Sequence, residues 1–265
     1  LIKYLKKIHD ITQFVNVSKF VNQYKSKYYD KKLYPLPGIL IINIMVPDYS
    51  PSLSNVNNYD GPGYQVIIYA KLSDHVRQML LKKDLSILPA SIKLLSTFMH
   101  SNFKENTKMR DRFKCIGRVM NLKYTGFNYF TSKILKTYNS KPFLTTTCCT
   151  FYHKPGKYFK IDLNAHEFGY LAKKVWNIIK SIMTNVIYDL AFVIQAETND
   201  ELPEQLLCCC RISKFGAHKA KKLPTKYVDL YDKCTDINNT LSRMKKIENI
   251  NNEMNNKYNN DDNKE

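Results

Sequence analysis

Glycine is scarce in this sequence, with 8 in 265 residues. Loops that cradle phosphates need glycine, because only a backbone without a Cβ approaches a phosphate closely enough. The sequence also contains neither a Gly-x-Ser-x-Gly nucleophile turn nor a His-Glu-x-x-His metal motif. We therefore predict a protein that is not an enzyme and that binds no cofactor.

A long, uninterrupted apolar run is also missing. The most apolar stretch covers residues 170–196, and charged or amide side chains interrupt it. A helix that spans a bilayer needs about 20 predominantly apolar residues and tolerates such groups poorly. We expect no transmembrane helix, and a protein that is soluble or attached to the membrane surface. The interrupting residues are Lys173, Lys174, Lys180, Asn185 and Asp189.

Regularly spaced cysteines are absent as well. Five of the 7 cysteines stand in the runs 148–149 and 208–210, whereas a secreted disulfide framework spaces its cysteines along the chain. The paired spacings typical of zinc sites are missing too. We predict no metal site, and cysteines that serve as small apolar residues on strands. The expected location is the cytoplasm, with peripheral attachment to membranes left open by the sequence.

Acidic residues are outnumbered by basic ones. Lys and Arg total 41 against 23 Asp and Glu, which gives a net charge of +18. Such a surplus favours polyanionic partners: nucleic acid, acidic proteins or the anionic face of a membrane. Composition alone does not choose among them, and a solvated basic surface without a partner is a further alternative.

Hydrophobic periodicity predicts an α+β fold. Residues 38–46 and 64–72 are β-branched runs joined by a turn-rich loop, so we predict two strands that pair antiparallel. Residues 74–100 are predicted to form two helices that break at Leu88-Pro89, because proline disfavours the helical state of its predecessor. Further strands are predicted at 113–124, 142–152, 158–163, 190–194 and 206–213.

The clearest helical pattern covers residues 166–188. Its apolar residues recur with the 3.6-residue period of one buried face, and its opposite side is rich in lysine. The predicted fold class is α+β, with a largely antiparallel, curved sheet packed on this one long amphipathic helix and smaller N-terminal helices at 2–11 and 15–28. We expect an apolar cavity between sheet and helix.

The chain divides by composition into three parts. Residues 1–35 are predicted to be a helical extension and residues 36–220 to be the main domain. Residues 235–265 are rich in Asn and Lys and have few large apolar side chains, so they cannot offset the entropy of ordering and are predicted to be disordered. Leu1 stands in the place of an initiator Met, so we expect the natural chain to be longer.

One set of reactive residue types suggests a cysteine-nucleophile site: Asp162, His166 and Cys148 or Cys149. Only closeness in sequence relates Asp162 to His166. In the alternative, Asp162 or Asn164 caps the following helix and His166 lies in its first turn. We favour the capping role and predict no catalytic residue.

A basic–aromatic run at 108–114 and the lysines of the predicted long helix are candidates for binding anions. Such cations would contact lipid headgroups at a membrane, or phosphates if aromatic side chains stacked on nucleic-acid bases. In the alternative, Arg112 and Lys114 are the outward side of a half-buried strand, with Phe113 and Cys115 inward. The candidates for anionic-lipid binding are Arg110, Arg112, Lys114, Lys173, Lys174 and Lys180.

Several segments, taken in order, resemble the Enhanced Disease Resistance 2 C-terminal domain family. Residues 36–47 are similar to its proline-bounded "VVNLQVP" strand and residues 110–116 to its "YRDxRFKLI" segment. Lys141-Pro142 with residues 156–164 resembles "KP…xNYLEIDVDI", although Lys160 and Asn164 replace two of its acids. Residues 188–204 resemble "VDLAFLIE…ELPE". The matching motif residues are Asn43, Pro47, Asp162, Asp189, Glu201, Leu202, Pro203 and Glu204.

The resemblance implies a non-catalytic domain of proteins that act at cellular membranes, often behind lipid-binding modules. It implies lipid or an anionic membrane surface as the partner, and we expect no nucleic acid. The alternative is a regulatory or scaffold domain that binds acidic proteins. We expect the motif residues themselves to be structural: Asp189 would end the long helix and accept hydrogen bonds, and Asp200 would cap a turn that Pro203 stiffens.

Overall fold

The computed structural model describes residues 2–3, 36–53, 61–82, 86–122, 126–145, 148–155, 157–181, 183–216 and 220–222. The chain divides into two compact units, Leu1–Lys221 and Lys222–Glu265. The elements described below belong to the first unit, except for the last residue of the final strand. The predicted tail at 235–265 lies outside the described residues.

The predicted N-terminal helices fall almost entirely outside the described residues as well. Ile2–Lys3, the one described part, is a strand that pairs with residues 64–65, so the predicted helix at 2–11 is wrong at its start. The pairing is possible because an extended pair of residues satisfies its backbone groups on the edge of an existing sheet.

The fold is α+β, as predicted, with helices and strands interspersed along the chain. The strands are β1 (Ile2–Lys3), β2 (Ile39–Pro47), β3 (Gly63–Lys71), β4 (Phe113–Val119), β5 (Pro142–Leu144), β6 (Cys149–Lys154), β7 (Tyr158–Asn164), β8 (Ile187–Ile194), β9 (Leu206–Ser213) and β10 (Lys221–Lys222). The α-helices are α1 (Asp74–Leu81), α2 (Ala90–His100), α3 (Thr107–Asp111), α4 (Tyr129–Tyr138) and α5 (Tyr170–Ser181). Short 3₁₀ turns lie at Ala165–Glu167 and Asn199–Glu201.

Two sheets form, where the sequence predicted one. Sheet 1 has the strand order β10–β1–β3–β2–β7–β6, and sheet 2 has the order β5–β4–β8–β9. The predicted antiparallel pairing of β2 with β3 is confirmed, whereas β2 pairs with β7 in parallel. All nine residues of β2 are buried, which fits its continuous apolar sequence, because a strand covered on both faces has no wet side. The curvature of the sheets stays a prediction.

The space between the sheets is filled at one end by aromatic side chains. Helix α2 brings Phe98 between Phe113 of sheet 2 and Phe159 of sheet 1, with ring centroids 6.3 and 6.1 Å away. We call this group the phenylalanine cluster; its rings are in contact in tilted, stacked and edge-to-face arrangements and connect the two sheets. Its members are Phe98, Phe103, Phe113, Phe151, Phe159 and Phe192.

The predicted long helix is wrong in its extent. Helix α5 covers Tyr170–Ser181, a 3₁₀ turn precedes it, and a strand begins at Ile187. Met183 and Val186 continue the apolar spacing of a helix, which extended the predicted helix too far. In the structure both residues are buried in the turn that leads into β8. Asp189 therefore lies inside β8 rather than at a helix end. In the described part of the chain, no helix has the length and apolarity needed to cross a membrane.

Other element predictions differ from the structure in smaller ways. The predicted strand at 113–124 ends at Val119, and the one at 142–152 is divided between β5 and β6. Helices α3 and α4 were not predicted. The break between α1 and α2 is confirmed, since Pro89 is the residue that precedes the first turn of α2.

Candidate functional site

The end of the inter-sheet space away from the phenylalanine cluster is open and forms a cavity of about 810 Å³. Ile44 and Val46 of β2 form its wall in sheet 1. In sheet 2 the wall is formed by one face of β4, where Cys115, Gly117 and Val119 alternate with outward residues. Ligand sites of proteins have volumes of about 300–1,000 Å³ and mostly apolar linings. The cavity therefore has the size and the lining of a site for an apolar ligand.

Helix α5 forms the roof of the cavity. Leu171, Val175 and Ile179 line it at a spacing of four residues, which places them on one side of the helix. Helix α4 adds Ile134 and Leu135. The predicted apolar face of this helix is thus present, but much of it faces the cavity rather than packed side chains.

Three polar side chains of α5 hold the helix on the end of β2. The indole Nε1 of Trp176 donates to the carbonyl of Pro47 at 2.9 Å, and Nζ of Lys180 lies 2.9 Å from the Asp48 carboxylate. Asn177 donates to the Ser50 hydroxyl at 3.3 Å. Part of the side of α5 that was predicted to face water is therefore used for contacts within the protein. They place the roof over the cavity at a fixed position.

Next to this contact, Lys173 is buried and its Nζ donates to the carbonyl of His166 at 2.9 Å. The His166 Nδ1 lies 3.0 Å from the hydroxyl of Tyr49. Burial, and secondarily the charge of Lys173, lower the pKa of His166 to about 4. The imidazole is therefore neutral at physiological pH, and Lys173 and His166 are structural supports of the roof.

Two polar groups of the cavity lining are used within the protein. The Thr145 hydroxyl donates to the carbonyl of Phe113 at 3.0 Å, and the Cys148 thiol to that of Thr145 at 3.2 Å. Burial raises the pKa of the Cys115 thiol above its ordinary value, and contact with Cys149 followed by burial does the same for Cys148. Both thiols are thus protonated at neutral pH and are poor nucleophiles.

The mouth of the cavity lies between residues 138–143 and residues 167–172. The rings of Phe143 and Phe168, one from each side, meet edge-to-face with centroids 5.8 Å apart. Several lining residues here are exposed to solvent although they are apolar: Tyr138 by 61%, Phe143 by 39% and Leu171 by 46%. An apolar rim around an apolar cavity is a surface that lipid, rather than water, solvates well.

The residues of the suspected cysteine-nucleophile site do not come together. Asp162 binds Asn43 and Lys160 on the outer face of sheet 1, whereas His166 binds Tyr49. Cys148 is bound to the backbone of Thr145. Among the described residues, no hydrogen bond joins His166 to the Cys148 thiol, so the suspected set lacks the nucleophile–base contact that such chemistry needs.

Asp162 belongs instead to a buried polar network in sheet 1. Asn43 accepts from Gln65 at 2.8 Å and donates to Asp162 at 2.9 Å, and Lys160 donates to the same carboxylate at 3.0 Å. Nζ of Lys160 also lies 4.1 Å from the ring centroid of Tyr152. The lysine that replaces an acid of the family pattern is thus a partner of the remaining acid, which agrees with a structural strand.

Two other family segments, distant in sequence, meet in space. The guanidinium of Arg112 donates to the carbonyl of Gln195 at 2.7 Å and forms an ion pair with Glu201. Glu201 also accepts from the backbone N–H of Glu197 at 2.8 Å, and Glu204 from that of Ala196 at 2.9 Å. These contacts fix the connection between β8 and β9. Arg112, buried to 95%, serves the fold here rather than facing an outside anion.

The remaining motif residues have less burial. The carboxylate of Asp189 accepts two hydrogen bonds from Arg211, at 2.7 and 2.9 Å, and the Arg211 hydrogen bond holds its pKa below the usual range. Leu202 is exposed, and the peptide bond between Leu202 and Pro203 is cis. The backbone N–H of Glu201 bonds to Thr198, so Thr198 rather than the predicted Asp200 begins this turn.

The six cations predicted to bind anionic lipid are not gathered at one place. Arg112, Lys173 and Lys180 have the partners within the protein given above. Arg110 pairs with its neighbour Asp111 at 3.0 Å. Lys114 is half-buried on β4, and Lys174 is exposed on α5 with its Nζ 5.7 Å from the Tyr170 ring. Nothing tests their binding to lipid, which stays a prediction.

Sequence reasoning overlooked the residues that shape the cavity and its mouth. Gly117, Arg118 and Trp176 line the cavity without having been singled out, and Lys141 entered only through a family motif. A signal was available for α4: Asn128 caps it by accepting from the N–H of Thr131 at 2.8 Å, and lining residues recur three and four positions apart.

Across the described ranges, His, Cys, Asp and Glu side chains do not assemble in groups of three or more that could hold a metal ion.

Comparisons with known proteins support the family resemblance. No curated protein and no solved structure matches the chain. A family model does match, over residues 1–216, and it describes the C-terminal region of the protein ENHANCED DISEASE RESISTANCE 2. This chain is therefore a member of the Enhanced Disease Resistance 2 C-terminal domain family.

Proposed function

We propose that this domain is a non-catalytic lipid-binding domain that acts in the cytoplasm, peripherally at membranes. The observation that carries the proposal is the cavity of about 810 Å³ between the two sheets. Burying an apolar chain there removes it from water at a gain of about 0.8 kcal/mol for each CH₂ group. A chain-bearing lipid is the class of ligand that uses this surface best.

The lining supports lipid more than a polar metabolite. Specific sites for polar molecules present several convergent hydrogen-bonding groups, which fix the orientation of the ligand. Here the Thr145 hydroxyl and the Cys148 thiol are already committed to backbone carbonyls. A polar molecule inside would lose its hydrogen bonds to water without replacing them, at a cost of about 1–3 kcal/mol for each group.

The mouth supports action at a membrane surface. A lipid leaves a bilayer with least cost where its chain stays out of water, and the exposed rim of Tyr138, Phe143 and Leu171 offers an apolar path into the interior. The net charge of +18 adds long-range attraction to anionic leaflets. Peripheral attachment of this kind is reversible and depends on the lipid composition.

Recovery of lipid from the protein tests the proposal. The full chain is purified under native conditions, its small-molecule content is determined by native mass spectrometry and solvent extraction, and its flotation with neutral and with anionic liposomes is measured. We expect a co-purifying lipid, and flotation that increases with anionic lipid. Absence of lipid together with equal failure to float with both liposomes would reject the proposal.

A second candidate function rests on the surface charge. Exposed cations such as Lys174, and Lys104 and Lys108 around the start of α3, have no ion pair among the described residues, so the basic surface is suited to dock acidic proteins. The domain would then be a regulatory or scaffold domain. A pull-down distinguishes the two functions: a protein partner must remain bound after lipid has been removed with detergent.

A further inference from the structure

Tyr188 of β8 places a hydroxyl group in the wall of the cavity. The residue lines the cavity and is half-buried. In sheet 2 it pairs with Val119 of β4 and with Ile212 of β9, and both of these residues line the cavity as well. Because directly paired residues of neighbouring strands share a face, the ring of Tyr188 lies on the cavity side of the sheet.

Tyr188 belongs to the open end of the cavity. Its partner Val119 is the last residue of β4, whereas Phe113, the first residue of that strand, belongs to the phenylalanine cluster at the closed end. At about 3.4 Å per residue, the two ends of β4 are about 20 Å apart. An apolar chain that fills the cavity thus extends from the cluster toward Tyr188, and a polar group at its end comes to lie near this hydroxyl.

Other polar side chains that line the cavity are bound within the protein. The amide of Asn139 binds both backbone groups of Val119, at 2.6 and 3.2 Å, and the Thr145 hydroxyl and the Cys148 thiol donate to backbone carbonyls. For the Tyr188 hydroxyl, no hydrogen bond to another part of the chain that the structure describes is present. It is thus available to a ligand, to which it can donate and from which it can accept.

The groups around this hydroxyl do not supply a charge. Burial raises the pKa of Tyr188 and that of the Cys210 thiol above their ordinary values, so both groups stay protonated at neutral pH. Arg118 is on the opposite face of β4, where Asp189 is its counter-charge. Lys141 is exposed and precedes β5, which β4 separates from β8. A charged group at Tyr188 would therefore leave water without a counter-charge, whereas an uncharged oxygen needs only a hydrogen bond.

We propose that the ligand of the cavity is a lipid with an uncharged oxygen, a hydroxyl or an ester carbonyl, which the Tyr188 hydroxyl binds at the open end. This inference depends on the proposed lipid-binding function and specifies the polar group that the site selects. The hydrogen bond replaces one that the oxygen of the lipid gives up when it leaves water. Tyr188 thereby fixes the position of the lipid along the cavity.

The test compares ligands of equal chain length that differ at one end. Purified full-length protein, freed of lipid, and its Tyr188→Phe variant are titrated with a long-chain hydrocarbon and with the corresponding alcohol, methyl ester and ionised fatty acid. Binding is followed by the fluorescence of Trp176, which lines the cavity and is the single tryptophan of the chain.

The variants each remove one phenol hydroxyl. Tyr129→Phe is the matched control, because Tyr129 is 83% exposed and lies outside the cavity lining. Circular dichroism and unfolding midpoints establish that each variant is folded. We expect Tyr188→Phe to weaken binding of the alcohol, the ester or both about fivefold, as the loss of one neutral hydrogen bond predicts, and to leave binding of the hydrocarbon unchanged. Tyr129→Phe should leave all four affinities unchanged.

The outcomes separate the polar group from lipid binding as such. The ligand that Tyr188→Phe weakens identifies a hydroxyl or an ester carbonyl. An equal effect on the hydrocarbon and the oxygen-bearing ligands, or no effect on any of them, would overturn the role of Tyr188 and leave lipid binding intact. A larger loss for the fatty acid than for the alcohol and the ester would overturn the uncharged group. If none of the four ligands binds the natural protein, the proposed function fails together with the inference.

Discussion

The guanidinium of Arg112 forms an ion pair with the carboxylate of Glu201, which follows it by 89 residues. The side chain of Arg112 is 6% exposed and that of Glu201 is 22% exposed. In such surroundings, water does not solvate a charge that has lost its partner well enough to compensate for the loss. This contact joins two family segments and anchors the β8–β9 connection that completes sheet 2.

Removing one member of this pair should destabilise the fold strongly. We expect Glu201→Gln and Arg112→Met each to lower the free energy of unfolding by about 3 kcal/mol, because each leaves a desolvated group without its counter-charge. The double variant should lose less than the sum of the two, as measured by urea unfolding in a double-mutant cycle. Strictly additive losses would show that the pair contributes nothing by itself.

The ion pair of Asp189 and Arg211 is the matched control. Arg211 is 60% exposed in its side chain, and exposed pairs contribute little because water and salt screen them. We expect Asp189→Asn to leave the urea midpoint of unfolding almost unchanged in physiological salt. A loss as large as that of Glu201→Gln would contradict the role assigned to burial.

Trp176→Phe tests the attachment of the roof. Phenylalanine retains most of the apolar contact but cannot donate to the carbonyl of Pro47, so we expect a loss of about 1 kcal/mol in unfolding free energy. Hydrogen exchange should increase in α5 more than in α2. Asn177→Ala, which removes a longer and exposed hydrogen bond, should have a smaller effect on both measurements. Equal exchange in the two helices would contradict this attachment.

His166 should make the protein less stable in weak acid. Its pKa is lowered to about 4 by burial and by Lys173, from an ordinary value of 6.5. Below pH 6.5 His166 takes up a proton in the unfolded chain, whereas in the folded protein it does so only near pH 4. The stabilisation is therefore complete above pH 6.5 and is lost as the pH falls toward 4, by about 3 kcal/mol in total.

Urea unfolding at about pH 7.5 and about pH 5 measures this dependence. His153 contributes in the same direction, since burial and then the charge of His100 lower its pKa as well. His166→Asn should therefore reduce the pH dependence without abolishing it. An unchanged difference between the two pH values in this variant would exclude His166 as a cause.

Local patterns in the sequence predicted most of the strands, because an apolar β-branched run has few other stable conformations. Residues 206–213 were predicted as a strand with the bounds that β9 has. The alternation of Cys208, Cys209 and Cys210 between half-buried and exposed positions also agrees with their prediction as small strand residues. An apolar cavity beneath an amphipathic helix was expected, and a cavity is present beneath α5.

Long-range relations were beyond the sequence. Nothing local distinguishes the parallel pairing of β2 with β7 from an antiparallel one, or predicts that Phe98 of α2 contacts both sheets. Val186 continues a helical period yet precedes β8, because burial in a turn requires the same residue type as burial on a helix. Arg112 and Glu201 are charged, so only their meeting in the fold explains their burial.

Filling the cavity from Gly117 tests the central claim most directly. A Cβ added at Gly117 meets no atom within 4 Å, and the residue faces the cavity between Cys115 and Val119. Gly117→Ala therefore adds one carbon without a clash and is the control. Gly117→Leu extends a larger side chain into the cavity, and circular dichroism and the unfolding midpoint establish that this variant is folded. The measurement is quenching of Trp176 fluorescence by a lipid with a brominated acyl chain. We predict strong quenching in the natural protein and in Gly117→Ala, and an affinity lower on the order of tenfold or more in Gly117→Leu; equal quenching in all three proteins would contradict a lipid-binding cavity between the sheets.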